Sequence, residues 1–156
     1  MDLGAAPGSW SQVVLKYVGK KGKIIALDLL PIAPIENVII LQGDFTNEEG
    51  YKFQKDIDVV LSDIAPNMSG HKTADQAQSM YLVELAFDFA KTHLKKEGAF
   101  VSKVFQGRDL DALILEARKA FTKVHFCKPD ASRDRSAEHF LVCLGFKTTP
   151  LASLKK

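Results

Sequence analysis

Three polar residues stand where apolar runs end, and their types could do acid–base work. Asp63 follows Ile57–Ser62, Lys103 follows Phe100-Val101-Ser102, and Glu138 opens the run His139–Phe146. A charged side chain at a buried strand end is costly unless it is paired or used. Two carboxylates and an amine at one edge could orient a hydroxyl, accept its proton or stabilise the alkoxide it forms. Lys103 as base, as alkoxide stabiliser or as positioner are separate roles that the residues alone leave open. Glu138 read alone is also compatible with a plain strand-end carboxylate.

A second constellation surrounds the segment Asp2-Leu3-Gly4-Ala5-Ala6-Pro7-Gly8-Ser9-Trp10. Its small residues, with Gly4 and Gly8, read as a tight turn into a helix, where the backbone approaches a ligand and the helix N-terminus offers free N–H groups. Ser9 is expected to cap some of those groups with its hydroxyl. Asp28 lies 20 residues after Gly8, at the end of the run Ile24–Leu27, where a carboxylate accepts hydrogen bonds from ribose hydroxyls. Asp44 follows the next run and is placed to accept a bond from an adenine amino group. The loop is not GxGxxG: Pro7 takes the room a pyrophosphate needs, and no basic residue is close in sequence. The ligand expected is a nucleoside with a neutral or cationic tail. S-adenosylmethionine fits, with Asp63 holding its amino-acid end.

The charge is uneven. Residues 1–78 carry 7 Lys/Arg against 10 Asp/Glu, and residues 79–156 carry 14 against 9. The basic half points to a polyanion, with an ordinary solvated face as the plain alternative. Arg133, Arg135, Lys128 and Arg108 are the candidate phosphate contacts for RNA. Trp10 and Tyr81 could stack on a base or pack in the core.

These residues need a frame to hold them. At 156 residues the chain fits one domain, expected over residues 1–147 with a tail at 148–156. Short Val/Ile/Phe-rich runs alternate with amphipathic segments, the pattern of a mostly parallel α/β sheet with helices on both faces. Strands are expected at Lys23–Leu29, Asn37–Gln42, Ile57–Asp63, Ala99–Phe105, Lys123–Lys128 and His139–Phe146. Helices are expected at Ser9–Val18, Ala74–Lys96 and Leu110–Ala120, with a short one at Thr46–Gln54. Leu82, Leu85, Ala86, Phe89 and Ala90 form the expected apolar stripe of the second helix. The first strand is nearly absent, since the glycine loop begins at Gly4. No run is long enough to cross a membrane and no signal peptide is visible, so the expected location is the cytoplasm. Cys127 and Cys143 read as free thiols, and the four histidines lack metal-ligand spacing.

Seven ordered segments carry a resemblance over almost the whole chain: DLGAAPGSWSQ (2–12), DLLP (28–31), LQGDF (41–45), SDIAPNMSG (62–70), MYLVE (80–84), SKVFQG (102–107) and KPDASRDRSAE (128–138). In these the chain resembles the FtsJ/RrmJ family of ribosomal RNA ribose 2′-O-methyltransferases. The resemblance implies a Rossmann-like methyltransferase fold that binds S-adenosylmethionine through positions matching Gly8, Trp10, Asp28, Asp44 and Asp63. It also implies a catalytic Lys–Asp–Lys–Glu set, whose last three members match Asp63, Lys103 and Glu138. The family's first catalytic lysine lies upstream of the glycine loop, and its segment is expected to lie outside these residues. A further departure is Ser9 where the family has a second glycine. The substrate implied is a uridine ribose of large-subunit ribosomal RNA in an assembled particle, acted on by a monomer. Competing readings are a transfer RNA methyltransferase of the same family and a non-catalytic RNA- or ribosome-binding module. A nicotinamide oxidoreductase is disfavoured by the proline-bearing loop.

Overall fold

A computed structural model describes residues 1–47, 55–130 and 138–148. In chain order the elements are β1 (Asp2–Leu3), α1 (Ser9–Val18), β2 (Ile24–Asp28), β3 (Val38–Gln42), β4 (Ile57–Ser62), α2 (Lys72–His93), β5 (Leu94–Phe105), α3 (Leu110–Ala120), β6 (Phe121–Cys127) and β7 (Glu138–Phe146). The strands form one sheet in the order β3-β2-β1-β4-β5-β7-β6. The pairings among β1 to β5 are parallel, while β7 runs antiparallel to both β5 and β6. The strand order reverses at β1, which places a ligand crevice beyond the carboxyl ends of β1 and β4.

Alternation along the strands sorts residues onto two faces. Leu3, Leu27, Val60, Phe100, Val104 and Leu141 face one core, built against Met80, Val83, Phe87 and Ala90 of α2 and Leu113 and Ala117 of α3. Fully burying side chains of this size is worth about 1.5–3 kcal/mol each. On the opposite face α1 lies over β1 and β2, beside a small cluster of Ala5, Ala26 and Ile32. The two-residue β1 matches the short first strand expected. It is flanked on both sides, pairing Asp2 with Ala26 and Leu61 and Leu3 with Leu27 and Ser62.

Three expectations about elements are corrected. α2 ends at His93 rather than Lys96, and β5 already begins at Leu94, which turns extended and pairs with Ile57. The helix-favouring Lys95-Lys96-Glu97 gives way to that pairing, with Glu97 at φ +68° and a register shift between Ile57 and Val59. Of the expected stripe of α2, Ala86, Phe89 and Ala90 are buried, whereas Leu82 and Leu85 are only partly so; Ser79, Met80, Val83 and Phe87 complete the buried face. Thr46 and Asn47 are not helical; residues 48–54 of the expected short helix lie outside the described residues, as does the tail from 149. No described helix is long and apolar enough to cross a membrane.

Candidate active site

The carboxyl edge of the sheet gathers the chemistry. Ser62 of β4 pairs with Ser102 of β5, so the next residues, Asp63 and Lys103, emerge side by side on the face opposite those buried serines. Lys103 Nζ lies 2.6 Å from Asp63 Oδ1 and 3.8 Å from Glu138 Oε1. Its side chain is only 15% exposed, against 31% for Asp63 and 46% for Glu138. In the antiparallel register Lys103 stands opposite Phe140, and Glu138 stands opposite Phe105. Lys103 is thus two residues inside β5 rather than at its end. The three residues expected from sequence converge on one point.

The glycine loop is tied to β2. Gly4 N–H and Ala5 N–H both donate to Leu27 O, at 2.9 and 3.2 Å. Gly4 takes φ +66°, and a Cβ there would run into the backbone and side chain of Ile64. Only glycine fits, because the chain leaving Asp63 passes directly against it. The loop leads into α1 through Gly8, the N-cap, and no side chain caps this helix end. Ser9 is the first helical residue and is exposed, so the expected serine cap is not made. A helix N-terminus without a side-chain cap keeps its N–H groups for an anion or a ligand.

Asp28 and Asp44 stand where sequence placed them, each with a structural duty besides. Asp28 Oδ2 accepts the Ala6 N–H and Oδ1 accepts the Leu30 N–H, both at 2.8 Å, so one carboxylate fixes both loops at the edge. Asp44 Oδ1 accepts the N–H and hydroxyl of Thr46, at 2.9 and 2.7 Å. A pocket opens between these elements, lined by Asp2, Gly4, Ala5, Ala6, Pro7, Ser9, Trp10 and Asp63. Trp10 also packs on Phe140, ring centroids 5.7 Å apart, which joins the glycine loop to the strand facing Lys103.

Three features had no reading from sequence. Asp2 is 1% exposed; its Oδ2 accepts the Ser11 hydroxyl at 2.6 Å and its Oδ1 meets no partner. A charged residue within an otherwise apolar strand and a serine on the buried side of α1 were the available signals. Asp75 is the second: it accepts the Ser69 N–H, the Ser69 hydroxyl and the Gly70 N–H at 2.8, 2.7 and 3.2 Å, closing the loop that follows Asp63. Those bonds hold its carboxyl below the ordinary 3.8, the Ser69 N–H contributing most. The third is the Trp10–Phe140 contact. Tyr81 is 59% exposed on α2. Arg108 follows β5 and lines a groove with Gln76 and Phe105, and Lys128 follows β6. Arg133 and Arg135 lie outside the described residues. No group of three metal-ligating side chains occurs among the described residues.

Comparison with known proteins agrees with this geometry. The family model of FtsJ-like methyltransferases matches residues 1–146. The chain is 52% identical over 153 residues to the ribosomal RNA large subunit methyltransferase E of Francisella tularensis subsp. novicida, spanning 94% of this chain and 74% of that protein. The same-named protein of Francisella philomiragia is 51% identical over the same length. Among solved structures, one described as a ribosomal RNA methyltransferase from Plasmodium falciparum superposes with a TM-score of 0.84 at 30% identity, covering 95% of this chain and 86% of that one. The fibrillarin/Nop5p complex matches at a TM-score of 0.67 and 19% identity, over 93% and 71% of the two chains, which speaks to the fold alone. The Rossmann-like methyltransferase fold and the match of the family model over nearly the whole chain lead to one conclusion: the chain belongs to the FtsJ-like methyltransferase family.

Proposed function

We propose that this chain transfers a methyl group from S-adenosylmethionine to a ribose 2′-hydroxyl of ribosomal RNA, with a uridine of the large subunit in an assembled particle as the target. One observation carries the reading: Asp63 both lines the glycine-loop pocket and pairs with Lys103 at 2.6 Å, so donor and acceptor sites share a wall. The cleft suits this cofactor. Asp28 and Asp44 stand at or just beyond strand ends, outside the pocket lining, for ribose and adenine, and the two acids of the pocket wall, Asp2 and Asp63, favour a cationic ligand over a pyrophosphate. Bound there, S-adenosylmethionine supplies an already activated methyl group, so the chain's task is alignment and charge.

The residues divide that task. Asp28 and the glycine loop fix the nucleoside end, and Trp10 closes the pocket towards Phe140. Lys103, held between two carboxylates, meets the 2′-oxygen; as that oxygen takes the methyl group from sulfur and leaves a neutral thioether, its proton passes to the solvent that the half-exposed Glu138 borders. An ammonium in this poorly solvated corner stabilises developing negative charge far better than it would in water. Asp63 and Glu138 keep the lysine on target. Arg108 and Lys128, with Arg133 and Arg135, are assigned to phosphates, and the modest net charge of +2 fits a substrate whose shape supplies further contacts. The names of the relatives support the large-subunit substrate. A monomer working in the cytoplasm completes the proposal.

The test has two stages. S-adenosylhomocysteine should raise the melting temperature and NAD should not. Labelled methyl transferred to undermethylated large subunits should then be recovered on ribose, in a dinucleotide that resists alkaline cleavage. Label on a base, or comparable transfer to naked RNA, would contradict the respective part of the proposal.

A further inference from the structure

The acidic half of the chain keeps most of its positive charge in one place. Of the seven Lys/Arg in residues 1–78, four fall between positions 16 and 23: Lys16, Lys20, Lys21 and Lys23. No Asp or Glu stands between Asp2 and Asp28. The fold then separates the signs. Asp2, Asp28, Asp44 and Asp63 gather at the carboxyl edge of the sheet. α1 is 10 residues long and carries the chain about 15 Å back towards the amino edge, where the four lysines lie. All four are exposed, and none forms an ion pair among the described residues. Their presentation is fixed. Gly22 N–H donates to Gly19 O at 3.2 Å, closing a turn that puts Lys20 and Lys21 at its two central positions. A Cβ on Gly22 would collide with the side chain and carbonyl oxygen of Val18, so the turn is held tight against the end of α1. Tyr17 lies between Lys16 and this turn, 84% exposed and without a ring contact among the described residues. The helix dipole accounts for Lys16 in the last turn of α1. The other three lysines lie beyond the helix, and like charges so close repel unless an anion comes between them.

We infer that Lys16, Lys20, Lys21 and Lys23, with Tyr17, form a second RNA contact, which grips phosphates of the ribosomal particle far from the methylated ribose. Lysines are flexible point charges suited to a phosphate backbone, and an exposed ring among them offers a face on which an unpaired base stacks. Such a patch reads no sequence; it holds the domain on the particle while the opposite edge reaches the target nucleotide. An anionic bilayer would also attract the lysines, but besides Tyr17 the one apolar side chain of residues 16–23 is Val18, which is half-buried and has little to insert. The inference rests on the proposed ribosomal substrate and deepens it. The two contacts lie on opposite edges of the domain, so only an extended RNA surface reaches both, and a short RNA carrying the target nucleotide does not.

The experiment is cosedimentation of the chain with purified large ribosomal subunits across a salt series. The unaltered chain is compared with the triple variant Lys20→Gln/Lys21→Gln/Lys23→Gln and with a control of equal charge, Lys91→Gln/Lys95→Gln/Lys119→Gln, whose lysines already pair with Asp88, Asp58 and Glu116. The patch variant should bind at least about 10-fold more weakly at low salt. Its plot of log K against log salt should be shallower by about 2–3, the share of three phosphate contacts. The control should stay within about 2-fold of the unaltered chain. Tyr17→Ala should weaken binding by about 5-fold or more and leave the slope unchanged. Equal losses in the patch and control variants, or an unchanged slope in the patch variant, would overturn the inference. Lysine-dependent binding to phosphatidylglycerol vesicles, with subunit binding intact in the patch variant, would overturn it in favour of a membrane surface. Failure of the unaltered chain to bind large subunits at any salt would instead overturn the ribosomal-substrate reading itself.

Discussion

Lys103 and Asp63 occupy the first positions beyond the paired serines of β4 and β5, and their charged atoms meet at 2.6 Å. The contact is set by sheet register rather than by long, adjustable side chains reaching across a surface. Asp63→Asn should therefore leave the fold in place while releasing the lysine to Glu138, 3.8 Å away. We expect kcat to fall by roughly 100-fold, in line with losing one preorganised electrostatic partner. Steady-state kinetics at saturating cofactor checks this; an unchanged kcat would mean that Glu138 alone positions the lysine.

Gly4 and Gly19 make a controlled pair. Both take positive φ, +66° and +74°, but only Gly4 has Ile64 where a Cβ would go; nothing lies within 4 Å at Gly19. Gly19→Ala should cost about 1–3 kcal/mol, the strain of a side chain at φ +74° and ψ 175°, a region that essentially only glycine occupies. Gly4→Ala should cost distinctly more and abolish binding of S-adenosylhomocysteine, because the loop must move off Asp63. Urea unfolding and calorimetry of both variants give the comparison.

Asp28 ties two loops together through the Ala6 and Leu30 N–H groups. Asp28→Ala leaves both donors without the carboxylate and should cost about 1–2 kcal/mol of stability. Cofactor affinity should fall as well. A variant weaker in binding but as stable as the parent would show that the loops do not depend on this carboxylate.

Asp75 supplies a pH signature. Its folded-state carboxyl sits below the ordinary 3.8 because of the bonds from Ser69 and Gly70. The stabilisation is present above the unfolded-state value and is lost as pH falls through the lower, folded-state one. Asp75→Asn should be less stable than the parent at neutral pH, and the difference should shrink below about pH 4. Denaturant midpoints measured down the pH scale follow that gap; a difference independent of pH would assign the effect to packing.

The two cysteines should separate cleanly. Cys127 is exposed, while Cys143 is buried and its thiol is pushed up to about 12 by desolvation. A thiol reagent should modify one cysteine in the native chain and both after unfolding. Native modification at Cys143 would show opening of the strand pair β5–β7.

Much of this is legible in the sequence, for physical reasons. α1 and α3 were placed to the residue because periodicity and flanking glycine or strand signals agree there. Asp63, Lys103 and Glu138 stand out in the sequence as charges beside apolar runs, but it is the family resemblance that singles them out as a set; their meeting at one point is shown by the register of β4, β5 and β7. What was hidden depends on tertiary pairing. Leu94 leaves the helix for Ile57, and no local signal marks that exchange. Ser11 looks like any helix serine until α1 is laid over Asp2. Asp75 reads as a first-turn acid, yet it serves the loop before the helix. Ser9 was expected as a cap, but the left-handed Gly8 takes that position and puts the serine hydroxyl outside.

The most direct measurement is methyl transfer from labelled S-adenosylmethionine to undermethylated large ribosomal subunits, comparing this chain with Lys103→Ala. The account predicts transfer by the parent and a loss of at least about 100-fold in kcat for the variant, with S-adenosylhomocysteine binding retained. Transfer by Lys103→Ala at a rate near the parent's would contradict the claim that the Asp63–Lys103–Glu138 cluster is the reacting centre.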